Sequence, residues 1–243
     1  KCDFGVSKTL MSLHLHIGAS MLIENIVNLC HAKYQNDDDC KNCTYGSNCP
    51  KKCDRCLHYI HTPSAAPAPR KYDCSNMADF YTCKYSHKYT SELIYAMRQL
   101  KDLKEKQHLN VMSIGCGPCT DLFALDYLCQ KKIYQFESIT YRGIDSAKNV
   151  WQFIHEQIKQ EKDKRFKVNF WYADITVLID NIVNAKWVPD LIVFQYVFSD
   201  MQKNCESQKL AEFISKISGF INYKMDDRTY IVLNDINLST QMN

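Results

Sequence analysis

Between residues 111 and 122 the chain runs Val-Met-Ser-Ile and then Gly115-Cys116-Gly117-Pro118-Cys119-Thr120-Asp121-Leu122. Four largely apolar residues lead into a Gly-X-Gly turn, and Thr120 or Asp121 is placed to cap a helix. Gly115 and Gly117 allow a backbone reversal with left-handed residues and a close approach to a ligand. A strand feeding a helix through so tight a turn predicts a parallel sheet, because the helix must carry the chain back before the next strand can pair.

The remainder of the C-terminal part agrees. Strands are predicted at Asn110–Ile114, Thr140–Ile144, Lys167–Tyr172, Asp190–Val197 and Tyr230–Asn234. Helical spacing is seen at Ser91–Lys106, Asp121–Leu128, Lys148–Lys162, Ile175–Asn184 and Ser207–Asn222. Alternation of this kind predicts an α/β fold with helices on both faces of the sheet. The run Leu191-Ile-Val-Phe194 lacks polar alternation, as in a strand covered on both sides.

Two acids follow strands, Asp145 after the second and Asp174 after the third. Asp145 can accept hydrogen bonds from both hydroxyls of a ribose lying across the sheet's crevice, and Asp174 can accept from an adenine amino group. With these residues in place the segment from about 88 to 235 resembles the class I S-adenosylmethionine-dependent methyltransferases. Ile114-Gly-Cys-Gly-Pro118 is similar to the first motif, Gly143-Ile-Asp145 to the second, Ala173-Asp174-Ile175 to the third, and Pro189 to Tyr196 to the fourth. The resemblance implies a doubly wound Rossmann-like sheet of order 3-2-1-4-5 and S-adenosylmethionine as cofactor. It implies Ser113, Gly115, Cys116, Gly117, Asp121, Asp145, Ser146, Asp174, Ile175 and Gln195 as the cofactor-binding positions. Ser113 stands where the family usually has an acid and Cys119 where it usually has a third glycine. The family's C-terminal antiparallel strand pair is not found after the fifth strand. A nicotinamide-binding fold is the competing reading, disfavoured by the missing third glycine of Gly-X-Gly-X-X-Gly.

The fourth motif lacks both the Pro-Pro-aromatic grip on an exocyclic amine and the Pro-Cys nucleophile of cytosine C5 chemistry. Methyl transfer to oxygen or nitrogen requires alignment more than a covalent intermediate. Gln195, Tyr196 and Asp200 are the candidates to orient an acceptor or take its proton. Tyr196 serves equally well as a packing residue.

A second constraint comes from cysteine. There are thirteen, nine of them before residue 90, in a chain of 243 residues that is long enough to need no staple for its core. Cys40-X-X-Cys43 and Cys53-X-X-Cys56 have the spacing of a structural zinc site. Cys49, His58, His61, Cys74, Cys83 and His87 supply ligands for a second ion. Disulfides are the rival reading, together with the iron–sulfur spacing of Cys49, Cys53 and Cys56, after which no barrel follows. Cys116, Cys119, Cys129 and Cys205 lie outside the cluster and are expected as free thiols. His14 and His16 read as helix residues.

Three zones result: a helical segment 1–35, a Cys/His-rich zinc-binding module 36–87 expected to lack an apolar core of its own, and the methyltransferase-like domain 88–243. From Cys40 to Thr90 there are eight Lys/Arg against three Asp, whereas the signs cancel from Ser91 onward. Lys41, Lys51, Lys52, Arg55, Arg70 and Lys71, with Tyr45, Tyr59 and Tyr72, are placed to contact phosphates and stack on bases. The expectation is therefore a macromolecular substrate, RNA ahead of DNA or protein. The alternatives are a small-molecule enzyme with the Cys-rich module as lid, and an inactive binding subunit. No stretch is apolar enough to span a membrane, and the chain is expected in the cytoplasm. The first residue is Lys, as in a chain processed or cut from a longer one.

Overall fold

The computed structural model describes residues 20–36, 52–67, 70–184, 187–224 and 229–236. Five strands, β1 (His108–Ile114), β2 (Ser138–Ile144), β3 (Phe166–Trp171), β4 (Leu191–Gln195) and β5 (Tyr230–Asn234), form one sheet in the order β3-β2-β1-β4-β5. All four pairings are parallel, and Ile114 lies level with Ile144 on one side and Phe194 on the other. The doubly wound Rossmann-like sheet expected from the sequence is present. Strand order reverses between β1 and β4, which opens a crevice beyond their carboxyl ends.

Eight α-helices are described: α1 (Leu22–Asn36), α2 (Cys53–His61), α3 (Ser75–Arg98), α4 (Thr120–Gln130), α5 (Lys148–Glu161), α6 (Ile175–Asn184), α7 (Val197–Asn204) and α8 (Ser207–Lys224). Side chains alternate across each strand, so both faces of β1 are buried. Leu109 and Val111 join Ile139, Tyr141, Leu191 and Val193 under α1, α3, α4 and α5. Met112 and Ile114 join Ile144, Ile192 and Phe194 against Ile175 and Ile179 of α6 and Phe213, Ile217 and Phe220 of α8. Burial on both sides is why these strands read as unbroken apolar runs.

Helix α1 buries Leu22, Ile23, Ile26 and Cys30, a stripe at helical spacing. Its first turn is fixed by Asp126 of α4, whose Oδ2 accepts from the Leu22 N–H at 3.1 Å. A carboxylate there satisfies an otherwise orphaned donor and complements the helix dipole.

Three elements differ from expectation. Helix α3 begins at Ser75 and ends at Arg98, sixteen residues earlier at its start than the apolar spacing from Ser91 suggests. Its first half buries Asn76, Asp79, Thr82 and Ser86 beside Met77, Ala78 and Phe80, so the hidden face is too polar to register as periodic. The helix also runs unbroken through residue 88, where the domain boundary is expected. Secondly, Cys53, Leu57, Ile60, Met77 and Phe80 form a small apolar cluster within the stretch expected to have none. Thirdly, β4 stops at Gln195 and α7 follows at once, in place of a strand extending to Val197. No helix among the described residues is long and apolar enough to cross a membrane.

Candidate functional site

The turn after β1 holds three residues in the left-handed region: Gly115 (φ +64°), Gly117 (φ +46°) and Cys119 (φ +66°). It is anchored to β2, because the Gly115 and Cys116 N–H groups both donate to the Ile144 carbonyl, at 2.8 and 3.1 Å. A β-carbon on Gly115 would lie 2.8 Å from Val197 Cγ2, so the glycine is required by space as well as by φ. At Gly117 the nearest atoms to such a carbon are those of the Trp151 ring at 3.8 Å, leaving the backbone approachable. Cys119 closes the turn by donating its N–H to the Cys116 carbonyl at 2.7 Å and serves as the N-cap residue of α4.

Asp145 follows β2 and is only half-buried. Its Oδ2 accepts from the Gly117 N–H at 3.0 Å and its Oδ1 from the Ala147 N–H at 2.9 Å. Burial raises its pKa against the pull of these two donors. The turn and the acid thus form one unit, with carboxylate lone pairs to spare for a ligand. Neighbouring Ser146 is exposed.

The other positions inferred from the resemblance are placed differently. Ser113 and Asp121 are both buried beneath the turn. Asp121 Oδ1 accepts from the Tyr141 hydroxyl at 2.9 Å, and burial pushes its carboxyl pKa upward. Asp174 caps α6, accepting from the Thr176 N–H at 3.0 Å and hydroxyl at 2.9 Å, while its Oδ2 pairs with Lys209 of α8 at 2.8 Å. Its pKa is lowered: burial opposes, but Lys209 and the Thr176 donors prevail. Ile175 packs into the core on the α6/α8 face.

Across the crevice, Gln195 at the end of β4 joins three elements. Its Oε1 accepts from the Thr120 hydroxyl, and its Nε2 donates to the Tyr89 carbonyl of α3 at 3.0 Å. Tyr196 is left-handed (φ 59°), and its hydroxyl donates to Glu92 Oε2 at 2.9 Å. Its ring lies 4.5 Å from that of Tyr89. Asp200, on the first turn of α7, has its pKa raised to about 6. Burial is the main cause, and the charges of Asp145 and Asp235 add to it against the Asn204 amide, which donates at 3.0 Å.

Helix α3 and the segment before it supply a wall of aromatic side chains. Tyr81, Tyr85 and Tyr89 recur every four residues, with Tyr85 and Tyr89 stacked at 5.2 Å. Tyr81 and Tyr72 meet Trp151 of α5 at 5.7 and 6.3 Å, and the Tyr72 hydroxyl is 3.1 Å from His61 Nε2. Burial raises the pKa of Tyr72 and Tyr81, with a further upward contribution from the charge of Asp200. Apart from Tyr72, these aromatic residues were not anticipated as site residues. The four-residue spacing of Tyr81, Tyr85 and Tyr89 is the sequence signal by which they could have been found.

Of the ten metal candidates, Cys40, Cys43 and Cys49 lie outside the described residues, as do His14 and His16. Among the described residues, Cys53, Cys56, His58, His61, Cys74, Cys83 and His87 do not come together in any group of three within metal-ligand reach. His61 faces Tyr72, and Cys83 lies 3.7 Å from the Val27 carbonyl of α1. The described group that does converge is Cys116, Cys119 and His155. Of the basic residues expected to meet phosphate, Lys41 and Lys51 are outside the described residues, and Arg70 is 5% exposed beside the Tyr59 ring.

No protein-family model matches the chain, and no curated protein matches it in sequence. Solved structures similar to it include the plantazolicin methyltransferase BpumL in complex with SAH, at 15% identity and a TM-score of 0.45, covering 87% of this chain and 64% of that one. MNMC2 from Aquifex aeolicus is 16% identical with a TM-score of 0.39, covering 56% of this chain and 45% of that one. A putative class I S-adenosylmethionine-dependent methyltransferase from Listeria monocytogenes is 12% identical with a TM-score of 0.39, covering 62% and 47%. The chain thus spans between about half and two thirds of the length of these proteins.

Proposed function

We propose that this chain is an S-adenosylmethionine-dependent methyltransferase whose acceptor binds in the aromatic crevice between α3 and α7. The observation that carries the reading is the joint placement of Asp145 and the glycine turn: the carboxylate is oriented by the Gly117 N–H, next to backbone that a ligand can approach. Asp145 would hold the ribose hydroxyls, and Gly115 and Gly117 would admit the rest of the cofactor. Asp174 would offer its carboxylate to the adenine amino group in competition with Lys209. When bound, the cofactor supplies an electrophilic methyl group. Titration calorimetry with S-adenosylmethionine is expected to show saturable binding; none at millimolar cofactor would overturn the reading.

The clustering of Tyr72, Tyr81, Tyr89, Tyr196 and Trp151 supports a small, planar acceptor, with the Cys-rich module as the lid over it. This departs from the expectation of RNA, whose basic contacts are weakened by the burial of Arg70. A panel of small aromatic amines and phenols, RNA and peptides, read by release of S-adenosylhomocysteine, separates the two. Turnover confined to the polymers would return the choice to RNA or protein.

Asp200 is the group suited to take the acceptor's proton. The kcat/KM profile is expected to rise with pH through about 6, and the step is expected to vanish in Asp200→Asn. Stability runs the other way. A carboxyl whose pKa is raised by folding disfavours the folded state above that pKa, and the penalty is relieved as the pH falls through it. Asp200→Asn is therefore expected to raise the Tm at pH 7.5, the gain fading below pH 6.

We hold a structural zinc ion, with Cys53 and Cys56 completed by Cys40 and Cys43, as the reading of the Cys-rich stretch that the Cys-X-X-Cys spacing supports. Native protein is expected to carry at least one equivalent of zinc by elemental analysis, lost in Cys53→Ser.

A further inference from the structure

Two cysteines lie in the cofactor turn, and a histidine joins them. Cys116 is 6% exposed, while Cys119 and His155 are fully buried, and the Sγ and imidazole nitrogen atoms of the three lie within 4.8 Å of one another. The residues come from different elements: the two cysteines flank Gly117 and Pro118, and His155 stands in the middle of α5. The ring of His155 stacks on Phe170 at 3.9 Å, and its Nδ1 is 3.0 Å from the Tyr172 hydroxyl. Its Nε2 is 2.7 Å from the Gly117 carbonyl and 3.8 Å from Cys116 Sγ.

That pattern decides between two uses of the cluster. A carbonyl oxygen only accepts, so Nε2 carries a proton. With its proton on the Gly117 carbonyl, Nε2 offers no lone pair to a metal. The charge distribution favours a thiolate instead. Burial alone would raise the Cys119 pKa, but a hydrogen bond from Cys116 and the adjacent His155 bring it down to about 7. The N-terminus of α4, which Cys119 caps, favours negative charge in the same sense. Cys116 moves in the opposite direction and stays a thiol.

We propose that Cys116 and Cys119 are a redox-active dithiol, converted by hydroperoxide to a disulfide within the turn, and that this bond weakens cofactor binding. The second clause rests on the methyltransferase reading; the first does not. The oxidant must be small, because so little of either sulfur is exposed. The Cys119 thiolate attacks one peroxide oxygen, the O–O bond breaks, and with one proton the products are a sulfenic acid and water. Cys116 sulfur then attacks the sulfenic sulfur. The S–S bond forms, the S–O bond breaks, and the departing hydroxide takes the Cys116 proton as a second water. Two thiols are oxidised and one peroxide is reduced to two waters. A disulfide bond is about 2.05 Å long, so the sulfurs must draw together. That movement takes Cys116 Sγ from its seat against β2, where it would be 3.0 Å from a β-carbon on Gly143. It also reshapes the backbone whose Gly117 N–H orients Asp145.

The test uses the full chain, reduced, desalted, exposed to hydrogen peroxide and alkylated. Trypsin releases residues 107–131, which carry Cys116, Cys119 and Cys129. The expected product has lost two hydrogens between Cys116 and Cys119 with Cys129 alkylated, and it is absent from Cys119→Ser. His155→Phe is expected to slow its formation about tenfold at pH 7 by returning the Cys119 pKa toward its ordinary value. His155→Gln replaces that variant if the Phe protein does not fold. Alkylation of both cysteines after peroxide, their separate over-oxidation, or zinc in the native protein that depends on Cys116 and Cys119 would each overturn the proposal. Calorimetry on the oxidised form is expected to show cofactor affinity at least tenfold weaker. A disulfide in protein that never binds the cofactor would leave the dithiol standing and remove the methyltransferase reading, whereas binding without a disulfide would do the reverse.

Discussion

Replacing Asp145 by alanine is expected to weaken S-adenosylmethionine binding by at least a hundredfold in titration calorimetry, with the far-UV spectrum unchanged. The carboxylate performs two tasks that alanine cannot. It orients the glycine turn by accepting from the Gly117 N–H at 3.0 Å, and on the proposed reading its remaining lone pairs would serve the ribose. Hydrogen bonds to a charged group contribute roughly 1.5–3 kcal/mol each, so the loss of two accounts for a factor of about a hundred or more. Asp145→Asn keeps one acceptor oxygen and is expected to fall between the two. Equal affinity in all three proteins would reduce Asp145 to a fastening for the turn.

Gly115→Ala is expected to destabilise the protein by about 2–4 kcal/mol in urea denaturation. Part of this arises from φ +64°, where a β-carbon crowds its own backbone. The remainder comes from the 2.8 Å approach to Val197 Cγ2, at the start of α7. The two causes separate in a double-mutant cycle. In a Val197→Ala background only the backbone cost should remain, about 1–2 kcal/mol. Additive effects would show that Val197 is not what excludes the side chain.

The parts of the fold legible in the sequence were those where local pattern and burial coincide. The inner stretches 111–114 of β1 and 191–194 of β4 are largely apolar because both their faces are covered, and the turn between β1 and α4 announces itself by Gly115 and Gly117, both at positive φ. The first half of α3 was hidden because its buried face includes Asn76, Asp79, Thr82 and Ser86, polar residues that interrupt the apolar period. Helix α7 was hidden because Val197 and Phe198 continue the apolar run of β4, while the break comes from the left-handed conformation of Tyr196.

The site divides in the same manner. Asp145 and Asp200 could be named from their positions after strands. The engagement of Asp174 with Lys209 could not, since the two are thirty-five residues apart and meet only when α8 packs beside α6. Trp151 and His155 carry no signal on α5 beyond an amphipathic spacing. Their roles exist only because Phe170, Tyr172 and the turn are brought to the same place.

Gln195 has a bearing on how the protein is made. It binds Tyr89 and Thr120, residues 106 and 75 positions earlier in the chain. During synthesis the turn and α3 emerge long before the side chain that fastens them, and contacts of such sequence separation form late. A ribosome-bound chain that ends before β4 can contain every glycine of the turn and every tyrosine of the wall, with the Thr90 hydroxyl able to meet the Thr120 carbonyl, yet it lacks the Gln195 amide that bridges Tyr89 and Thr120. The finished lining of the crevice is thus deferred until most of the polypeptide has been translated.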